Sequence, residues 1–311
     1  MRVRSLASGL SHGTEMLVYR GQVPVDLELD LPTLRGGFEF PIKYGYASVG
    51  HIIETGKMVD GLQVGDVIFA HHPHQTEFVV PASMAVRLPA DLEPEEGIFF
   101  ANLETALNVI LDAHPRLGER VLVFGQGVVG LLVTQLCSRT GANPVIAIET
   151  IERRRALSRL CGADIVLEPS DDLAEVVHEL TAGAGADIAI EASGNPAVMP
   201  VALGCLASEG TLVVCSWYGT KPVSPPLGGA FHRGRLRIIS SHVGSIDPCL
   251  RARWSRERRT FLTRDLLSQL HLSELITHRF PFRRAADAYE LVDRHPEETV
   301  QVILTYGETD V

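Results

Sequence analysis

The sequence predicts an α/β protein in which a doubly wound parallel sheet is joined to a β-rich domain. Three observations carry that prediction. Strand and helix patterns alternate from about residue 105 to residue 255. A glycine-rich turn links the first strand of that run to its first long helix. Before it, short strands separated by Gly and Pro turns fill the chain to about residue 95. With 311 residues there is room for two ordinary domains, and 45% hydrophobic against 21% charged residues is enough to bury full cores.

The first strand begins near Arg2. Ala47 to Glu54 reads as a second, and Gly65 to Ala70 as another that leaves a Gly-Asp turn. Thr105 to Leu111 has a helical pattern, ended by Pro115. Arg120 to Phe124 is a continuous apolar run, the kind covered on both faces in a parallel sheet. After the glycine turn comes a helix of about fifteen residues, then a strand from Pro144 to Glu149. Further strands are expected at Ile165–Leu167, Ile188–Glu191, Thr211–Cys215 and Leu236–Ser240, with helices at Ala174–Thr181 and Ala197–Leu206 among them. The tail reads as a helix from about Arg256 and closes on a strand, Thr299–Leu304.

Lys plus Arg number 28 and Asp plus Glu 38, for a net charge of −10. Such a surface repels a phosphate backbone, which argues against a general nucleic-acid binder. No apolar run approaches the roughly 18 residues of a membrane span. The charged start, Met1 to Ser5, leads into no secretion segment. The five cysteines (137, 161, 205, 215 and 249) lack zinc-site spacing and read as mostly buried thiols, so a reducing cytoplasm is expected.

The turn is Gly125-Gln126-Gly127-Val128-Val129-Gly130. Its context gives it meaning: a buried strand before it, an apolar helix after it, and an acidic residue closing the next strand. Gly125 permits the tight turn, Gly127 lets backbone approach a diphosphate, and Gly130 lets helix and sheet pack closely. Val128 and Val129 open the helix, whose free N–H groups attract phosphate. Glu149, nineteen positions after Gly130, is placed to bond a ribose 2′-hydroxyl. NAD is therefore favoured over NADP, although Arg154, flanked by Arg153 and Arg155, is a candidate partner for a 2′-phosphate. Gly194 and Tyr218 follow later strands at the carboxyl edge of the sheet, where such folds bind ligands.

The chain resembles the medium-chain dehydrogenase/reductase superfamily over nearly its whole length. The resemblance rests on His12-Gly13-Thr14-Glu15, Tyr44 to Gly50, Val64 to Ile68, Glu104-Thr105-Ala106, the glycine turn, Glu191 to Gly194 and Leu275 to Phe280. It implies a GroES-like catalytic domain (1–104 and 256–311) around a Rossmann dinucleotide-binding domain (105–255), with Thr105 touching the cofactor. A homodimer or homotetramer joined at the sheet edge near Leu236–Ser240 is implied, with a small molecule as substrate. Relatives usually carry a further stretch before the strand that begins near Arg2, so the resemblance implies a truncated or misassigned start with N-terminal strands missing, an arrangement that leaves some edge strand without a partner.

The three positions that hold catalytic zinc in such relatives fall on His12, Tyr46 and Ala101, and the four-cysteine zinc lobe is absent. Zinc is therefore not expected. A substitute metal site made by His71, His72, His74 and His12 is the competing reading. Without metal, a side chain must polarise the substrate oxygen. The candidates are Tyr46 or His12 as donor, Thr14 as relay, and a loop histidine, His72, behind them. The arginines at 251, 253, 256, 258 and 259 read as a solvated helix face.

The expected function is an NAD-dependent, zinc-free oxidoreductase for an alcohol/carbonyl pair. Ser8 to Glu15 and Gly45 to Gly50 look most like the bacteriochlorophyllide dehydrogenases. An enone or quinone reductase and a non-catalytic NAD(H)-binding protein are the alternatives.

Overall fold

A computed structural model describes residues 1–29, 33–34 and 36–307. Residues 308–311, the end of the expected catalytic segment, lie outside the described residues. The chain divides into two units. Unit 1 is Met1–Ala101 with Thr260–Val311, and unit 2 is Asn102–Arg259. The sequence reading put these borders at 104/105 and 255/256.

Unit 1 starts with β1 (Arg2–Gly9) and the short helix α1 (Thr14–Tyr19), followed by β2 (Ser48–Glu54), β3 (Val67–Ala70), β4 (Glu77–Val79) and β5 (Ala85–Arg87). Strand β1 has partners on both sides. Its residues pair with β2 along most of its length, and on the other side β4 takes Arg2–Arg4. Val3, Ile52, Ile68 and Phe78 are inward-facing residues of these strands and form one core cluster.

The helix expected at Thr105 begins five residues earlier, as α2 (Phe100–Ala113). Unit 2 then alternates: β6 (Val121–Phe124), α3 (Val128–Thr140), β7 (Val145–Ile148), α4 (Glu152–Leu160), β8 (Ile165–Leu167), α5 (Leu173–Leu180), β9 (Ala186–Glu191), α6 (Val198–Gly204), β10 (Leu206–Val214) and β11 (Arg237–Ser240). Every residue of β6 and β7 is buried. The strands form one parallel sheet in the order β11-β10-β9-β6-β7-β8. The order reverses between β6 and β9, and ligands of such sheets lie in the crevice beyond that reversal. Arg120, just before β6, grips Asp187 of β9 through Nε and Nη2 at 2.9 and 3.0 Å. Burial pulls the Asp187 carboxyl up, but Arg120 more than reverses this and holds it below its usual range.

One expectation fails here. The helix placed over Ala197–Leu206 stops at Gly204, and Leu206 already belongs to β10. A register shift between Leu206 and Thr211, with Glu209 at φ 66°, lets the strand begin that early.

The chain passes through α7 (Arg256–Leu267) and finishes unit 1 with β12 (Ile276–Pro281), α8 (Ala285–Arg294) and β13 (Gln301–Thr305). Strand β13 runs antiparallel to β1 and parallel to β12. Helix α8 was not anticipated. Its buried residues, Ala288 and Val292, are one turn apart and pack with Leu10, Met16, Val302 and Leu304. Among the described residues no helix is long and apolar enough to cross a membrane.

Candidate functional site

In unit 2, Phe124 and Glu191 are register partners at the ends of β6 and β9, where the strand order reverses. Gly125 turns away at φ 85°, and a Cβ there would lie 2.5 Å from Ser193 Cα. A Cβ on Gly130 would lie 1.9 Å from the Gly125 carbonyl oxygen. Both positions exclude a side chain. Gly127 is different: nothing lies within 4 Å of its missing Cβ, so the backbone before Val128 is open to a ligand. The expected cradle therefore has close packing at two glycines and room at the third.

Gln126 contributes something the sequence reading missed. Its side chain is buried, donates to Val123 O at 3.1 Å, and accepts from Thr134 Oγ1 at 3.0 Å and Ser158 Oγ at 3.2 Å. It thus ties the glycine turn to α3 and α4. Glu149 closes the same turn. Its Oε2 accepts the Gln126 N–H at 2.6 Å, and its Oε1 accepts the Ile151 N–H at 3.0 Å and the Thr150 hydroxyl at 3.1 Å. Arg155 donates to the carbonyls of Glu149 and Thr150 and pairs with Glu168, while Arg154 is half-buried on α4.

Glu191, fully buried, organises the loop after β9. Its Oε1 accepts from Ser193 N–H at 2.7 Å, Ser193 Oγ at 2.6 Å and Gly194 N–H at 3.1 Å. Its Oε2 accepts the Tyr218 hydroxyl at 2.8 Å. Gly194 and Tyr218 are therefore brought together through one carboxylate. Burial first, then the Glu191 charge, raises the Tyr218 phenol well above its ordinary value. Thr105 is half-buried in α2. Beside it, Glu104 accepts from buried Arg259 at 3.2–3.3 Å, so Arg259 is an ion-pair partner and not part of a solvated face. Three residues before it, Arg256 donates to Gly244 O, and Arg258 stacks over Trp254.

In unit 1, Tyr46 lies beside the side chains of Ser11 and Thr14, which favour its ionised form. Burial is the larger cause and the nearby Glu15 charge the next in pushing its phenol up to about 12, so it holds its proton across the neutral range. The structure therefore brings Tyr46 and Thr14 together, with His12 half-buried in the same turn.

His72 does not join them. Its ring stacks on Phe78 at 4.3 Å, and its Nδ1 lies 3.1 Å from Pro73 O. Burial lowers its pKa. The loop histidine that reaches this region is His74, whose Nε2 is 2.9 Å from Glu15 Oε2 and whose Nδ1 is 2.7 Å from Ser8 Oγ. A third, His71, sits edge-on to Phe69. Three neighbouring histidines thus have three different settings. Among the described residues, the one group of three or more His, Cys, Asp or Glu with ligand atoms within 4.8 Å of one another is exposed His295, Glu297 and Glu298.

Zinc, which the resemblance raises, does not fit these donors. Of His12, Tyr46 and Ala101, only the first offers a ready metal ligand. Ala101 has no donor, and Tyr46 resists becoming a phenolate.

The comparisons agree with the fold. The zinc-binding dehydrogenase family model matches residues 128–260. D-guloside 3-dehydrogenase of Escherichia coli K12 is 29% identical, with 98% of this chain and 93% of that protein covered. The 2-desacetyl-2-hydroxyethyl bacteriochlorophyllide A dehydrogenase of Cereibacter sphaeroides is 28% identical, with 97% and 89% covered. Among solved structures, an alcohol dehydrogenase from E. coli CFT073 complexed with NADH superposes with a TM-score of 0.79. It is 22% identical, with 98% of this chain and 91% of that one covered, so it speaks for the fold. Fold, glycine turn and relatives define a dehydrogenase-type oxidoreductase. These likenesses support a place for the chain among the medium-chain dehydrogenases/reductases.

Proposed function

We propose that the chain is an NAD-dependent oxidoreductase acting on a small alcohol/carbonyl pair without a catalytic metal. The observation that carries this is the open backbone at Gly127, set where the parallel sheet reverses its strand order. Bound there, a nicotinamide dinucleotide supplies or accepts the hydride. Amides at Gly127, Val128 and Val129 hold the diphosphate, Glu149 takes the ribose hydroxyls and repels a 2′-phosphate, and Thr105 touches the cofactor. Gly194 and Tyr218 shape its far end through Glu191.

Tyr46 gives its proton to the substrate oxygen: its phenol keeps that proton across the neutral range, and the Thr14 and Ser11 hydroxyls stand beside it to restore it. Thr14 and Ser11 hold the Tyr46 oxygen, and His12 orients the substrate. His72 is released from the catalytic set, since stacking on Phe78 accounts for its ring. The named relatives act on a guloside and on a hydroxyethyl bacteriochlorophyllide, which supports an alcohol/carbonyl pair here. A homodimer or homotetramer joined at the β11 edge of the sheet is part of the same proposal, as is a cytoplasmic setting. For the latter, burial pushes the thiols of Cys137 and Cys205 up to about 12, as suits unreactive core cysteines.

The test is turnover on a carbonyl and alcohol panel for Tyr46→Phe and His12→Ala. Loss of about 100-fold in kcat for Tyr46→Phe is expected, from the usual size of general acid catalysis. If both variants keep full turnover, the assignment is wrong.

A further inference from the structure

Glu15 lies in the first turn of α1 and is 2% exposed. Oε2 of its carboxylate accepts the Tyr289 hydroxyl at 2.7 Å and faces His74 Nε2 at 2.9 Å, and Oε1 accepts the Ser11 N–H at 3.1 Å. The chain of contacts runs on from His74 Nδ1 to Ser8 Oγ and from there to the Tyr306 hydroxyl, 2.7 Å at each step. With one proton on His74, at Nε2, every donor finds an acceptor: Tyr306 donates to Ser8, Ser8 to His74, and His74 to Glu15.

The same pair grips both backbone segments that meet at Tyr46. Glu15 fixes Ser11, whose side chain lies beside Tyr46. His74 fixes the other segment: its ring fills the space a Cβ on Gly45 would need, with ring atoms 2.7 and 2.8 Å from that point. Gly45, at φ 117°, is a glycine for both reasons.

We propose that Glu15 and His74 are a positioning pair, clamping Tyr46 in place and in its protonated form so that the site works as a carbonyl reductase. The proposal rests on the reading of Tyr46 as proton donor. In the reducing direction the carbonyl carbon takes hydride from reduced nicotinamide, and its π pair moves to oxygen. That oxygen takes the Tyr46 proton, and the phenolate recovers one from water through the Thr14 or Ser11 hydroxyl. The pair itself loses and gains nothing. The titratable groups around it are Tyr46, Tyr289 and Tyr306, and the phenol of Tyr289 is raised by burial first and by Glu15 next.

The experiment is NMR titration of the full chain carrying ring-labelled tyrosine, with the Tyr46 signal identified by its loss in Tyr46→Phe. Glu15→Gln removes the charge and keeps the shape. It is expected to lower the Tyr46 midpoint by about one pH unit, so that roughly tenfold more phenolate is present at a given alkaline pH. His74→Gln, a second variant if the first fails to fold, is expected to shift the midpoint in the same direction by loosening the clamp. In turnover, Glu15→Gln should leave kcat for carbonyl reduction unchanged near neutrality and bring its alkaline fall about one pH unit lower, with KM and NADH affinity unchanged. An unmoved midpoint and an unmoved alkaline fall of kcat in both variants would overturn the pair's role. Full turnover by Tyr46→Phe would instead sink the donor reading on which the proposal stands.

Discussion

Tyr46 and Glu149 are the two residues whose chemistry decides most. For Tyr46 the pH dependence has a definite sign. Its phenol, raised to about 12, is protonated at every lower pH, so carbonyl reduction should be flat from neutrality to near pH 11 and fall beyond it. The reverse reaction needs the phenolate. Alcohol oxidation should therefore climb about tenfold per pH unit across that range, and initial rates measured in both directions check this. For Glu149, tight binding of NAD over NADP is expected, and Glu149→Ser should narrow the preference about tenfold or more. Equal affinities in the unaltered protein, by fluorescence titration, would contradict the role. Glu149 also holds the Gln126 amide, so part of the variant's loss should appear with both cofactors. Of these side chains, Glu149 is picked out by its spacing from the glycine turn, and Tyr46 and Thr14 by the family resemblance. It does not show that His74 and not His72 turns toward Glu15, because adjacent loop positions differ only in backbone direction.

At the scale of elements, the glycine turn joins sequence to site most tightly. Gly130→Ala would drive a Cβ to within 1.9 Å of the Gly125 carbonyl, which no flexible side chain can relieve. Overpacking of this kind costs about 1–3 kcal/mol. The variant should unfold several degrees lower by calorimetry and lose nucleotide affinity, whereas Gly127→Ala, with open space around it, should keep its Tm. The alternation of β6 to β11 was legible because strands covered on both faces read as continuous apolar runs. Helix α8 was hidden: its buried face is two small or branched residues, Ala288 and Val292, amid charged neighbours. That concealed Tyr289, one of the partners of Glu15. The end of α6 was overrun for a different reason. Cys205 and Leu206 continue its apolar pattern, but pairing of Leu206 with Ala186 draws that residue into the sheet.

For the whole molecule, the order of strands and helices revealed a parallel sheet and a β-rich partner, and a net charge of −10 turned attention from nucleic acid to small molecules. Long-range pairing is where sequence reading ran out. Strand β1 is held by β13, about three hundred positions along the chain, and by β4, and neither partnership has a local signature. The buried polar cluster of Ser8, Glu15, His74, Tyr289 and Tyr306 is assembled from the same distant segments, so only the folded chain exhibits it. The central claim, a pyridine dinucleotide seated on the glycine turn at the reversal of the sheet, is tested most directly by isothermal titration calorimetry of the folded, full-length protein. Saturable, stoichiometric uptake of NADH, abolished or strongly weakened by Gly130→Ala, is the result predicted. No heat of binding with NADH, NAD, NADPH or NADP would contradict it.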